Sequence, residues 1–218
     1  GIVVADFQAN DELVGFFMQD PSGDGNPLTS DGIFVYNGAY TVSEGDWIEV
    51  TGTVDEYYQL TQIKAVSALS VISSGNAFSA TQITLPEETE GELEQYEGML
   101  VTLPHTMTVA QNYFQGRYGQ ITLSTGGRMY QPTHLYEPGS PAFWDQVNEN
   151  ARRMLILDDG SSDQNPDPIP YIGDNNTLRA GDVVSANVTG VIDNGPITSG
   201  DSPNVDYRIH PTGAVDIE

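Results

Sequence analysis

The sequence predicts an all-β chain built as two small barrels, and three observations carry that expectation. Short runs rich in Val, Ile, Thr, Phe and Tyr recur between clusters of Gly, Pro, Asn and Asp, which punctuate strands and turns rather than alternating strands and helices. One strand pattern occurs twice, once in each half. A stretch of turn-forming composition, SSGNAFSA at residues 73–80, separates the halves. The domains are accordingly set at residues 1–75 and 80–218, the second larger and carrying acidic loop insertions. With 218 residues in all, each is large enough to bury a core.

Strands are expected at residues 2–7, 13–19, 33–36, 47–57 and 61–72, and in the second half at 99–109, 119–124, 154–157, 183–192 and 207–211. In GDWIEVTGTVDEY, alternation puts Ile48, Val50 and Val54 on one face with Gly52 between them, and Glu49, Thr51 and Thr53 on the other. In GDVVSANVTGVID the same pattern turns Val184, Ala186, Val188 and Ile192 inward, with Gly190 in the place of Gly52. A glycine inside a long strand predicts a bulge or sharp bend, which a small barrel needs. The alternative is one continuous β domain with a fortuitous echo. A single short helix is expected in the second half: Ser140 caps, Pro141 suits the first helical position, and Phe143, Val147, Ala151 and Met154 recur at helical spacing. Its polar face holds Asp145, Asn148 and Arg152.

Seven Lys and Arg face 31 Asp and Glu, a formal net charge of −24. Such a surface keeps a protein soluble and attracts divalent cations, but repels phosphate unless basic groups gather locally. The absence of cysteine excludes disulfides, thiolate metal sites and cysteine nucleophiles. The sequence starts at Gly1, and no stretch joins a basic start to an apolar run, so it reads as a processed or excised fragment without signal peptide or membrane span.

The sharpest motif is DPSGDGNPLTSD at residues 20–31. Asp20, Ser22, Asp24 and the Asn26 carbonyl fall at ligand positions one, three, five and seven of a calcium loop, Gly25 takes the turn and Asp31 closes at position twelve. The closing residue is Asp where Glu is usual, and the flanks read as strands, so a calcium loop here is not an EF-hand; the plain alternative is an acidic hairpin loop. A second acidic run could space Asp163, Asn165, Asp167 and Asp174 similarly, but Pro168 stands where the turn needs positive φ. Asp158 and Asp159 could hold a cation differently or cap turns.

The basic residues are uneven: Lys64 is alone in the first half and every arginine lies at Arg117 or later. Tyr113, Phe114, Arg117, Tyr118, Arg128 and Tyr130 make an aromatic and arginine cluster around an expected hairpin, the surface type on which bases stack and phosphates pair. The alternative is that these residues pack or neutralise nearby acids. His105, His134 and His210 show no metal-ligand spacing and read as structural. No serine-hydrolase, zinc-protease, phosphate-loop or dinucleotide fingerprint is present. Asn175 and Asn187 match the glycosylation pattern.

The segments IVVADFQ, GFFMQD, SDGIFVY, GDWIEVTGTV, LTQI, YEGMLVTLP, GRYGQITLS, NPDPIPY, LRAGD and YRIHPTG, taken together, resemble the region preceding the catalytic domain in bacterial extracellular nucleases. The resemblance covers nearly the whole chain. It implies tandem OB-like small barrels lying upstream of an endonuclease/exonuclease/phosphatase-type domain, in a secreted or cell-surface parent enzyme that uses Mg2+ to cleave DNA. That superfamily's catalytic layer carries a C-terminal S-D-H element, which this sequence lacks, so no catalytic residue is transferred. The function implied is a non-catalytic accessory region that helps engage DNA weakly and with metal dependence, beside the catalytic nuclease domain of the same parent chain. The alternatives are a calcium-stabilised structural spacer or anchor without substrate contact, and a carbohydrate- or matrix-binding module.

Overall fold

The computed structural model describes residues 1–169, 171–172, 178–196, 205–213 and 215. The all-β class holds. β1 (Ile2–Phe7), β2 (Gly15–Gln19), β3 (Gly32–Tyr36), β4 (Trp47–Tyr57) and β5 (Leu60–Ser73) close into a barrel in the order β1-β2-β3-β5-β4. The β3–β5 pair is parallel and the other pairs are antiparallel, with Ile2 opposite Trp47 closing the ring. Val3, Phe16, Val35, Val42 and Ile48 fill one end of the interior. Complete burial of a side chain such as Phe16 contributes about 1.5–3 kcal/mol.

The remaining strands are β6 (Thr81–Gln82), β7 (Leu100–Leu103), β8 (Met107–Gln111), β9 (Ile121–Ser124), β10 (Met154–Leu157), β11 (Val183–Val184), β12 (Val188–Pro196) and β13 (Val205–Pro211). They form one sheet in the order β11-β8-β9-β10-β13-β12-β7-β6. This order forces the sheet to curl. Consecutive β7 and β8 stand five strand spacings apart, about 24 Å in a flat sheet, yet the chain from Leu103 to Met107 spans at most about 14 Å. Read from the bent β7–β8 run, the order β8-β9-β10-β13-β12-β7 repeats that of the first barrel, and β10–β13 is again a parallel pair. β4 and β12, the two segments that echo each other in sequence, thus occupy corresponding places.

Their glycines act differently. At β4 the register shifts between Thr51 and Thr53, where Gly52 stands opposite residues 65–67 of β5. Val54 keeps the face of Ile48 and Val50, opposite Ile63, which packs with them, but it is 66% exposed. Gly190 makes no bulge: β12 runs in unbroken register beside β7 and β13, and a Cβ on Gly190 would lie 2.3 Å from the His210 carbonyl oxygen. Its role is close approach of two backbones.

Two strands expected to be continuous are interrupted. Residues 99–109 break between β7 and β8 around Pro104, which has no N–H to offer a ladder. Residues 183–192 break between β11 and β12, where Asn187 takes φ 70°. The helix lies where its pattern places it: α2 (Pro141–Arg153) follows the one-turn α1 (Gln115–Tyr118), and Ser140 Oγ accepts from the Phe143 N–H at 3.2 Å.

The second sheet has its own core around Val101, Leu103, Leu123, Leu157 and Ile209. A further cluster unites the two sheets, with Leu100 and Val191 packing among Val4, Ala5, Phe7, Phe17, Phe34 and Leu60.

Candidate nucleic-acid interface

Two members of the aromatic and arginine cluster, Phe114 and Tyr130, line one hollow on the second sheet. Strand β9 supplies Ile121 and Thr122 to it and β10 supplies Met154 and Ile156; the connection from β8 brings Phe114 and the one after β9 brings Tyr130. The hollow measures about 310 Å³. Phe114 is held by two rings, Tyr113 edge-on at 4.9 Å and Tyr118 at 5.9 Å. The Arg117 guanidinium lies 5.4 Å from the Tyr118 ring centre, and that of Arg128 5.2 Å from Tyr130. Arg117 also donates to Gln164 Oε1 at 3.3 Å.

Tyr113 is 81% exposed and Tyr130 47%, so both rings offer faces to an incoming planar group. Of the six sequence-predicted residues, Phe114 and Tyr130 line the hollow, while Tyr113 and Tyr118 pack against Phe114, Arg117 lies by Tyr118 and Arg128 by Tyr130. α1 makes this possible: its single turn ends at Gly119 in the left-handed region, φ 67°, and returns the chain to β9. The arrangement suits stacking of unpaired bases between exposed rings with cations at the rim. Asp206 also lines the hollow, and its charge opposes a phosphate there, an opposition that burial lessens by pushing its carboxyl above the ordinary value.

The acidic loop of residues 20–31 joins β2 to β3. Its side chains largely serve the loop itself. Asp20 Oδ1 accepts from the Ser22 N–H at 2.8 Å, Asp24 Oδ1 from the Asn26 N–H at 2.7 Å, and Asp31 Oδ1 from the Asp24 N–H at 3.0 Å. Thr29 Oγ1 donates to Asp24 Oδ2 at 3.1 Å, while Asp20 and Asp31 each keep one oxygen outside these bonds. Among the described residues, no three acidic or histidine side chains gather as a metal would require. In the second acidic run, Asp163, Asn165 and Asp167 are not buried; Asp174 and the Asn175 sequon lie outside the described residues.

Sequence reasoning missed a buried charge cluster beneath the seam between the first barrel and the second sheet. Asp193 and Arg208 face each other across β12 and β13, with Arg208 Nε and Nη2 donating to the two Asp193 oxygens at 2.7 and 2.8 Å. Arg208 Nη1 donates to Asp158 Oδ2 at 3.1 Å, an oxygen that also accepts from Gln120 Nε2 at 2.6 Å. His210 is fully buried, its Nε2 3.1 Å from Asp193 Oδ2, with Phe7 and Phe17 of the first barrel against its ring. Burial alone would raise the Asp193 pKa, but Arg208 and His210 outweigh it and hold the carboxyl well below the usual range. Asp159, beside the cluster, is pushed up to about 6 by burial, and its Oδ2 has no partner among the described residues. The available signal was period two: Arg208 and His210 in YRIHP share one strand face.

His134 sits exposed in a short 3-10 turn (Pro132–His134), and burial lowers the pKa of His105. No helix among the described residues is long and apolar enough to cross a membrane. No family model, curated protein or solved structure matches the chain.

Proposed function

We propose that this chain is a non-catalytic accessory region of a secreted or cell-surface, divalent-metal-dependent nuclease, built as tandem OB-like barrels, whose second barrel engages single-stranded segments of DNA. The repeated strand order with its parallel third and fifth strands supports the OB-like assignment. In such barrels the face of strands two and three and the loop between strands one and two take oligonucleotides. In the second barrel those parts are β9, β10 and residues 112–120. The observation that carries the reading is that Phe114 and Tyr130 line one hollow on that face, with Arg128 against Tyr130 and Arg117 against Tyr118, the neighbour of Phe114.

With a net charge of −24, binding is weak and cation-dependent: a divalent ion screens the acidic surface and offsets its sign locally. Calcium is proposed in the Asp20, Ser22, Asp24, Asn26 and Asp31 loop on its oxygen-donor chemistry, and Mg2+ belongs to the catalytic domain of the parent chain.

The test is fluorescence anisotropy of a labelled oligothymidylate with this chain at low salt, in calcium, in magnesium and in chelator. Salt-sensitive binding that needs a divalent ion supports the proposal. The acidity itself favours a second reading, a calcium-stabilised spacer, under which the chain binds no DNA and calcium raises only its melting temperature.

A further inference from the structure

We propose that the hollow between the acidic β6–β7 connection and the ends of β12 and β13 is a second binding site, independent of the DNA reading, and that it takes a primary ammonium group on an alkyl stem. The hollow encloses about 370 Å³, within the range of small-ligand sites. Glu87, Glu90 and Leu93 reach it from the β6–β7 connection, Met154 from the start of β10, Asn194 from β12 and Asp206 from β13. Met154 and Asp206 also line the hollow of the DNA reading, whereas Asn194, Glu87 and Glu90 do not.

One buried amide marks the site. Asn194 stands opposite Tyr207 in the β12–β13 ladder, so its side chain takes the face of the strand away from Asp193 and Arg208, toward Leu93 and Tyr207. The residue is only 5% exposed, and its Oδ1 has no hydrogen-bond partner among the described residues. Buried amides are normally satisfied, because leaving their dipoles unpaired away from water is costly. A donor on a ligand supplies what Asn194 lacks.

The same hollow gathers negative charge. Glu87, Glu90 and Asp206 line it, and no Lys, Arg or His does so among the described residues. The Glu87 carboxylate is oriented by the chain itself, accepting from the Leu93 N–H at 2.8 Å and the Gly91 N–H at 3.3 Å. Asp206 Oδ1 accepts from the Tyr207 N–H at 2.9 Å, and Glu90 Oε2 from Asn148 Nδ2 at 3.4 Å. Arg152 ties the segment down through the Glu87 and Glu88 carbonyl oxygens, at 2.6 and 3.3 Å, and pairs with Glu149. The three carboxylates thus have no ion pair among the described residues. Burial raises the carboxyls of Glu87 and Asp206, and the charge of Glu90 raises both further, so a cation in the hollow would favour their ionised forms.

The charge selects against an anion, and the donor count selects the kind of cation. A primary ammonium carries three donors on one nitrogen and no acceptor, which matches an acceptor set of Asn194 Oδ1 and carboxylate oxygens from separate elements. Leu93 and Met154 give its methylene stem an apolar wall. A free diamine presents this group, and so does the lysine side chain of a peptide.

The experiment is an NMR amide titration of the folded chain at low salt with cadaverine, with the blocked dipeptide N-acetyl-Lys-Lys-methylamide, which carries the same charge, with pentamethonium and with calcium chloride. Pentamethonium has the stem and charge of cadaverine but no N–H donor. Saturable shifts of the Asn194 side-chain amide and of the backbone amides of residues 90–93 are expected with a primary amine and not with pentamethonium. Tighter binding of cadaverine marks a free amine as the source, tighter binding of the dipeptide a peptide, and either supports the site. Asn194→Leu leaves the net charge unchanged; it should weaken amine binding by about tenfold or more while leaving the unfolding temperature equal or higher. Should that variant fail to fold, Glu90→Gln, on an exposed side chain, is expected to weaken amine binding by about threefold or more. Absence of shifts with both amines, equal shifts with pentamethonium, or unchanged amine affinity in the folded variants overturns the site; calcium moving the same amides in place of the amines overturns the ligand class.

Discussion

Arg208 and Asp193 are direct partners across β13 and β12, joined by two hydrogen bonds of 2.7 and 2.8 Å, with side chains only 12% and 1% exposed. Together with Asp158 they make a buried ionic cluster at the place where the first barrel meets the second sheet. Arg208→Met would leave two carboxylates buried without their cation, at a cost of about 3–5 kcal/mol. Urea unfolding measures this. The double change Asp193→Leu with Arg208→Met should recover part of that loss, since it removes the stranded charge on β12 along with its partner.

Glu97 acts on stability with the opposite sign. Its Oε1 accepts from the Thr61 N–H at 2.9 Å, tying the second domain to β5, but its Oε2 is buried without a partner among the described residues. Burial raises this carboxyl to about 7 from an ordinary value of 4.5. A carboxyl raised in the fold contributes its stability fully below the unfolded value, and that contribution is lost as pH rises from about 4.5 through about 7. Glu97→Gln removes the titration. It is expected to stabilise the chain at pH 8 by about 1 kcal/mol and to be nearly neutral at pH 5, read from chemical denaturation at the two pH values.

Replacing Arg117 and Arg128 by Ala tests the electrostatic part of the interface. Both stack on tyrosines outside the core, so the melting temperature should hold within about 2 °C. The affinity for oligothymidylate should fall, and the salt dependence should flatten by about one unit for each phosphate that an arginine no longer neutralises. An unchanged salt slope would remove these arginines from the binding surface.

Much of the fold was legible in the sequence because strands write their period locally. Residues 2–7, 47–57 and 154–157 stand as strands where alternation and turn residues put them. Ile48, Val50 and Val54 share a face as alternation puts them, but the exposure of Val54 was not legible, because period two assigns a face and not the length of strand that the core covers. The aromatic and arginine residues were legible as a group through their sequence proximity. The hollow they flank was not, since β9 and β10 meet across the helical insertion that contains α2. The buried cluster was invisible for a related reason. Asp158, Asp193, Arg208 and His210 each resemble a surface residue alone, and only the pairing of three strands brings them under one seam.

The most direct test of the proposed DNA-engaging surface is an NMR perturbation map of the chain with oligothymidylate in calcium at low salt. Shifts are expected at residues 112–122, at 128–131 and along β10, with little change on the first barrel. Shifts confined to the first barrel, or none at any DNA concentration reached, would contradict DNA engagement by the second barrel.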